Sequence, residues 1–127
     1  MELPRDLRYT EYHQWVRQEN NRVVVGLTDY AQENLGSIVY IFFSEVGMFV
    51  KEKQVIGEIE SLKAVSLINS PLDGRICEIN KEVIESPSLI NQDPYGKGWL
   101  LIIEADNPGN ISSLMNAEEY ERFIREG

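Results

Sequence analysis

The chain has 127 residues, of which 43% are hydrophobic and 26% are charged, a composition typical of one ordinary globular domain. Its formal net charge is -9, which argues against binding to nucleic acid or to an anionic membrane surface, since both require clustered cations. An acidic surface instead favours encounters with proteins that present basic patches.

The chain contains one cysteine, Cys77, and one histidine, His13. These counts exclude an intrachain disulfide and argue against a zinc site of ordinary ligand spacing. The chain shows no signal-peptide core, and no apolar run is long enough to span a bilayer. We therefore predict a reducing, cytoplasmic compartment. Cys77 is interpreted as a buried small hydrophobe, and His13 as a structural residue.

Short strands rich in β-branched and aromatic residues are predicted along most of the chain. In chain order they are Glu11–Gln18, Arg22–Leu27, Ser37–Phe43, Val55–Ser61, Ala64–Ser70, Gly74–Asn80 and Trp99–Ala105. Trp99 and Leu101 are expected to fill the core. Many short strands separated by Gly, Pro and Asn favour a small β-sandwich or barrel over a βαβ fold.

Two helices are predicted at the periphery of this mainly β domain. The first lies near residues 29–35, where Thr28 or Asp29 can cap the first amides and Gly36 can take the left-handed conformation that ends a helix. The second covers residues 116–126, with Asn116 as its cap. We expect residues 1–127 to form a single domain.

The segment from Gly57 to Gly74 reads GEIESLKAVSLINSPLDG, and its apolar and polar residues alternate on both sides of Lys63. This pattern predicts a hairpin over residues 55–70 with Leu62-Lys63 at its turn and with Ile59 and Ile68 pointing inward. A lysine at a turn is most often only solvated. A rigid turn flanked by Leu62 and Ala64 also suits covalent attachment of a carried group.

Several motifs, in the same order, resemble those of the glycine cleavage system H-protein family. The run ESLKAVS (Glu60–Ser66) is similar to the family's lipoyl-lysine motif, E-S-V-K-A-x-S. Tyr9–Val16 resembles the family's opening Y-T-x-x-H-x-W-V, and Val25–Tyr40 resembles its central segment. Ile90–Leu100 and the run AEEYERF are similar to the end of the family's sequence. The resemblance therefore covers almost the whole chain rather than one short motif.

The resemblance implies a flattened β-barrel of two sheets, the lipoyl-domain type, with lipoic acid in amide linkage on Lys63. Glu60, Ser61 and Ala64 would complete the attachment motif. Lysines that carry biotin usually stand between methionines, so Leu62 and Ala64 favour lipoate. A passive adaptor domain, with Lys63 unmodified, is a different class of function.

The implied partners are four proteins that act on the lipoyl arm. They are a lipoate-attaching enzyme, a pyridoxal-phosphate glycine decarboxylase, a tetrahydrofolate-dependent aminomethyltransferase and an FAD-containing dihydrolipoamide dehydrogenase. The arm would carry the aminomethyl group and reducing equivalents among the last three. The chain itself would be a non-catalytic carrier, since its sequence contains no activated nucleophile, paired acid and base, phosphate loop or metal site.

Three positions depart from the family pattern in the same direction. Gln14 and Phe42 stand where the family usually has glutamate, and Leu67 stands where it usually has aspartate. The resemblance implies that acids at positions 14 and 67 lie near the lipoyl arm when the arm is docked on the protein. Gln14 and Leu67 are therefore candidate arm-docking residues. Two hypotheses remain open: sequence drift within glycine cleavage, or an H-like paralogue that serves sulfur-compound oxidation or lipoate relay.

Overall fold

The computed structural model describes residues 1–127, which form two antiparallel β-sheets and several short helices. The strands are β1 (Arg8–Tyr9), β2 (Gln14–Glu19), β3 (Arg22–Leu27), β4 (Ile38–Phe43), β5 (Phe49–Val50), β6 (Val55–Ser61), β7 (Val65–Asn69), β8 (Gly74–Ile79) and β9 (Leu101–Ala105). The helices are α1 (Asp29–Leu35), α2 (Lys81–Glu85), α3 (Ser88–Gln92), a 3₁₀ helix (Pro108–Ser113) and α4 (Ala117–Glu126). None of these helices has the length and apolar character needed to cross a membrane.

The two sheets enclose the main hydrophobic core. One sheet has the strand order β1-β2-β3-β9-β8-β5 and the other has the order β4-β6-β7. Both sheets contribute to a cluster of 20 buried residues. Along β3, Val23 and Val25 face this cluster, whereas Val24 faces the opposite side of its sheet, as the two-residue period of a strand requires. The predicted mainly β architecture is confirmed.

A smaller cluster joins α4 to the outer face of the six-stranded sheet. Tyr120 of α4 stacks on Tyr9, with ring centroids 4.8 Å apart, and Trp15 is fully buried in the same cluster. Trp15 pairs with Gly26 across β2 and β3, and a Cβ atom on Gly26 would lie 2.2 Å from Trp15 Cε2. Only glycine therefore leaves room for the indole ring at this position.

The N-terminal caps of α1 and α4 follow the sequence prediction, whereas the C-terminal cap of α1 differs from it. Ala31 N donates to Thr28 Oγ1 over 3.2 Å, and Asn116 forms a reciprocal capping box with Glu119. Gly36 ends α1 with φ of 76° and ψ of -154°. Its φ is positive as expected, but its ψ is extended, so the predicted left-handed helical conformation is wrong in detail.

The second strand begins three residues later than predicted, at Gln14 rather than Glu11. The Thr10 hydroxyl accepts hydrogen bonds from the backbone N–H groups of Tyr12 and Gln14, at 3.2 and 3.4 Å, and so closes a turn. His13 completes this turn with φ of 65°. The Thr10 side chain thus takes the hydrogen bonds that these backbone N–H groups would otherwise donate to a neighbouring strand.

Two other predictions are corrected by the burial of the side chains. Trp99 precedes β9 and is only partly buried, whereas Leu100 and Leu101 are fully buried. Cys77 is half-buried rather than buried, because a bulge in the pairing of β8 with β9 leaves Ile76 as the inward residue. Helices α2 and α3 were not predicted from the sequence.

Candidate functional site

Strands β6 and β7 form the predicted hairpin, and Lys63 is exposed at its tip. Glu60 pairs with Val65 and Ile59 pairs with Ser66, so the turn spans Leu62 to Ala64. We refer to β6, β7 and this turn as the lysine hairpin. The structure therefore presents the Lys63 side chain on a turn closed by a regular antiparallel ladder.

Ser61 holds this turn through its side chain as well as its backbone. The Ser61 hydroxyl oxygen accepts hydrogen bonds from the backbone N–H groups of Lys63 and Ala64, at 3.3 and 3.1 Å. The Ser61 N–H donates to the carbonyl oxygen of Ala64 over 2.8 Å. Ser61 thus fixes the backbone that carries Lys63.

The turn is also tied to the end of α1. Leu62 N donates to the carbonyl oxygen of Ser37 over 3.1 Å. Lys63 Cε lies 3.6 Å from the position that a Cβ atom would take on Gly36. The far end of the Lys63 side chain therefore lies beside Gly36, which caps α1.

Two fully buried isoleucines support the lysine hairpin from below. Ile59 on β6 and Ile68 on β7 are both inaccessible to solvent and belong to the main core. Their predicted inward orientation is confirmed. Both strands of the lysine hairpin are therefore anchored in the main core.

A groove of about 350 Å³ runs between α1 and the lysine hairpin. Its lining comes from the turn before β2, from one face of α1 and from the residues that follow Lys63: Tyr12, His13, Tyr30, Ala31, Asn34, Leu35, Ala64, Val65 and Ser66. This volume lies within the range of about 300–1,000 Å³ that is common for small-molecule sites. A second cavity of about 150 Å³ lies elsewhere and includes no residue of the hairpin tip.

No carboxylate or cationic side chain lines the groove, whose polar groups are hydroxyls, one amide and one imidazole. Burial lowers the pKa of His13 below its ordinary value, so the ring is neutral at neutral pH.

Sequence reasoning missed the α1 residues of this groove. Their i, i+4 spacing, as in Tyr30 with Asn34 and Ala31 with Leu35, was the available signal.

The two candidate arm-docking residues occupy different environments, and neither lines the groove. Gln14 is fully buried; its Nε2 donates to the carbonyl oxygen of Asn69 over 2.7 Å, and Asn69 N donates to its Oε1 over 2.9 Å. Gln14 thereby links the six-stranded sheet to the lysine hairpin. Leu67 is half-exposed and pairs with Glu58 on β6. A docking role for either residue stays a prediction.

Comparison with known proteins decides the family. The model of the family described as glycine cleavage H-protein matches residues 7–127. The chain belongs to this family. It is 43% identical to the glycine cleavage system H protein of Anaeromyxobacter sp. (strain K), over 99% of this chain and 98% of that relative. It is 39% identical to the protein of the same name from Geobacillus sp. (strain WCH70), over the full length of both.

A solved structure supports the same assignment at the level of the fold. The chain matches the crystal structure of a glycine cleavage system H protein from Mycobacterium marinum with a TM-score of 0.89 and 34% sequence identity. The match covers 97% of this chain and 99% of that one. The family resemblance and the barrel-sandwich fold drawn from the sequence are confirmed.

The environment of Gln14 leads to a prediction about restoring the acid that the family usually has there. In a Gln14→Glu variant, a buried carboxylate would face the carbonyl oxygen of Asn69 and could no longer donate to it. An unsatisfied buried acceptor costs about 1–3 kcal/mol, and more when a charge is involved. We expect the free energy of unfolding at pH 7.5 to fall by at least that amount in urea titrations.

The loss of stability in the Gln14→Glu variant should depend on pH. The pKa of the introduced carboxyl group would be higher in the folded state, because only its protonated form donates to Asn69. The loss of stability should therefore be small near pH 4, grow as pH rises above the unfolded-state pKa, and level off above the folded-state pKa. Gln18→Glu is the matched control, because Gln18 also donates to a backbone carbonyl, over 3.0 Å, but is exposed. Equal effects of the two substitutions would contradict the prediction.

Proposed function

We propose that the chain is a lipoyl carrier of the glycine cleavage system and that lipoic acid is attached to Lys63 through an amide bond. The observation that carries this proposal is the exposed Lys63 on a turn held by Ser61, in a chain of the glycine cleavage H-protein family. Glu60, Ser61 and Ala64 complete the proposed attachment motif. Residues 1–127 act as one carrier domain in this proposal.

The groove beside Lys63 fits such a group. Attachment removes the ammonium charge and leaves a neutral amide and an apolar chain. The groove is correspondingly uncharged and combines Ala31, Leu35 and Val65 with hydroxyl groups. When bound, lipoic acid supplies a disulfide that accepts electrons by thiol–disulfide exchange and a sulfur that carries a one-carbon unit. The chain contributes attachment, orientation and shielding, and it is non-catalytic.

The surface around Lys63 suits the proteins that must approach it. Leu62 and Val65 are 79% and 58% exposed, and Glu60 lies beside them on β6. An exposed apolar tip with an acidic neighbour favours partners whose sites combine apolar and basic groups. We assign this role to a lipoate-attaching enzyme, glycine decarboxylase, aminomethyltransferase and dihydrolipoamide dehydrogenase, acting in the cytoplasm.

A second candidate function rests on the missing acids. The groove contains no carboxylate, Leu67 is aliphatic, and the Gln14 amide is bonded to Asn69. An arm that carries an ammonium group would find no opposite charge among these residues. This arrangement suits an H-like paralogue whose arm carries another cargo, in sulfur-compound oxidation or in lipoate relay.

Loading by glycine decarboxylase separates the two candidates. The lipoylated chain is incubated with the decarboxylase and carboxyl-labelled glycine, and the release of labelled carbon dioxide is followed. Release in proportion to the lipoylated chain, and none with the unlipoylated chain, is the expected result. If the lipoylated Anaeromyxobacter relative supports release and this lipoylated chain does not, the glycine-cleavage proposal fails and the second candidate replaces it.

A further inference from the structure

The hydrogen-bond network behind the groove fixes which nitrogen of His13 carries a proton. His13 Nδ1 lies 2.8 Å from Tyr120 Oη, and Thr28 Oγ1 lies 2.9 Å from the same oxygen. Thr28 and Tyr120 are both fully buried. Thr28 Oγ1 already accepts from Ala31 N, and the structure offers its hydroxyl hydrogen no acceptor other than Tyr120 Oη.

The donors in this network can be arranged in only one way that leaves no buried hydroxyl unpaired. Thr28 donates to Tyr120 Oη, so the Tyr120 hydroxyl hydrogen must go to His13 Nδ1. Because the pKa of His13 is lowered by burial, the ring is neutral and its remaining hydrogen is on Nε2. No buried side-chain nitrogen or oxygen in the structure lacks a hydrogen-bond partner. Because His13 Nε2 has no such partner, it is not buried, and its N–H is accessible to solvent.

The position of His13 along the groove identifies what this donor meets. Lys63 Cε lies near Gly36 at the end of α1, whereas the His13 ring lies 5.1 Å from the ring of Tyr30 in the first turn of α1. Gly36 lies six positions after Tyr30, which corresponds to about 9 Å along the helix axis at 1.5 Å per residue. An amide on Lys63 Nζ would therefore lie near Gly36, and a lipoyl chain laid along the groove would bring its sulfur atoms toward His13.

We propose that His13 donates an Nε2–H hydrogen bond to a sulfur of the reduced lipoyl arm and thereby favours its thiolate over its thiol. This inference rests on the proposed function, since it needs lipoic acid on Lys63. The thiol proton passes to solvent, and no electron is transferred in the step. Apart from His13, the titratable side chains that line the groove are Tyr12 and Tyr30, with Tyr120 behind the ring. No carboxylate in the lining competes for Nε2–H.

The tautomer can be measured directly, because the chain contains a single histidine. Long-range ¹H–¹⁵N spectra of the lipoylated, reduced, ¹⁵N-labelled protein should show hydrogen on Nε2 and a bare Nδ1. A hydrogen on Nδ1 would overturn the inference without any substitution being made. This measurement is independent of partner enzymes.

The His13→Asn variant tests the effect on the sulfur. Asparagine tolerates the positive φ of 65° at this position, and its Oδ1 can accept from Tyr120, whereas the imidazole ring, its contacts with Tyr30 and Phe123 and its Nε2–H donor are removed. Thiolate absorbance is titrated against pH, with the unlipoylated chain subtracted to remove Cys77. Since hydrogen bonds to charged groups are the stronger class, we expect the variant to lower the thiol acid dissociation constant about ten-fold.

The outcomes separate the inference from the function on which it rests. Lipoylation at Lys63 with an unchanged thiol titration in His13→Asn overturns the inference alone. Absence of lipoylation at Lys63 overturns the proposed function and the inference with it. A Tyr120→Phe variant releases Nδ1 from its donor, so the two tautomers should become mixed and the thiol titration should move toward that of His13→Asn.

Discussion

Lys63→Arg is expected to abolish the gain of one lipoyl mass when the protein is produced with a lipoate ligase and lipoate. Arginine keeps the positive charge and much of the length of the side chain, but it offers no primary amine for acylation. Acylation of the native lysine removes one positive charge, so the formal net charge should change from -9 to -10 (-9 - 1). Intact mass spectrometry and native gel mobility measure the two effects, and peptide mapping locates the modification.

Lys53 provides the matched control for this experiment. It also lies at a turn before β6, it is exposed, and it has a positive φ of 74°. Its turn lacks the serine that holds Lys63, and its ammonium lies 3.9 Å from the Glu11 carboxylate. Lys53→Arg should leave lipoylation unchanged. Lipoyl mass on Lys51 or Lys53 in the native chain would contradict the assignment of Lys63.

The strand pattern of the lysine hairpin was predictable from sequence because both of its strands have one buried face. Alternation of apolar and polar residues around Leu62-Lys63 determines the register, since a slip of one residue would expose Ile59 and Ile68. The structure has that register, with Glu60 opposite Val65. The caps of α1 and α4 were predictable for a similar reason, because Thr28 and Asn116 act within their own helix ends.

The site was less predictable, because its residues come from parts of the chain that are distant in sequence. The contact of Gln14 with the backbone of Asn69 joins residues 55 positions apart and has no local signal. The choice of Trp15 as the fully buried tryptophan depends on Gly26 across the sheet. Helix α2 starts after an Asn80 cap and has only five residues, so it is too short to show hydrophobic periodicity.

Ile59→Ala is expected to lower the free energy of unfolding by about 2–5 kcal/mol, because it removes a fully buried side chain from the core beneath the lysine hairpin. Such a loss is a large fraction of the stability of a typical small domain, about 5–15 kcal/mol. Urea unfolding measures it. Leu67→Ala is the control on the outer face of the same hairpin, where Leu67 is 48% exposed, and its effect should be much smaller.

The same variant tests whether the core or the turn itself holds Lys63 for its modifying enzyme. If packing beneath β6 and β7 orients the turn, lipoylation of folded Ile59→Ala should be slower than that of the native chain under conditions where both are more than nine-tenths folded. If its rate is unchanged although stability falls, the hydrogen bonds of Ser61 with Lys63 and Ala64 are sufficient to hold the turn. Ser61→Ala should then slow lipoylation while leaving the free energy of unfolding within about 1 kcal/mol of the native value, since the hydroxyl is exposed to solvent.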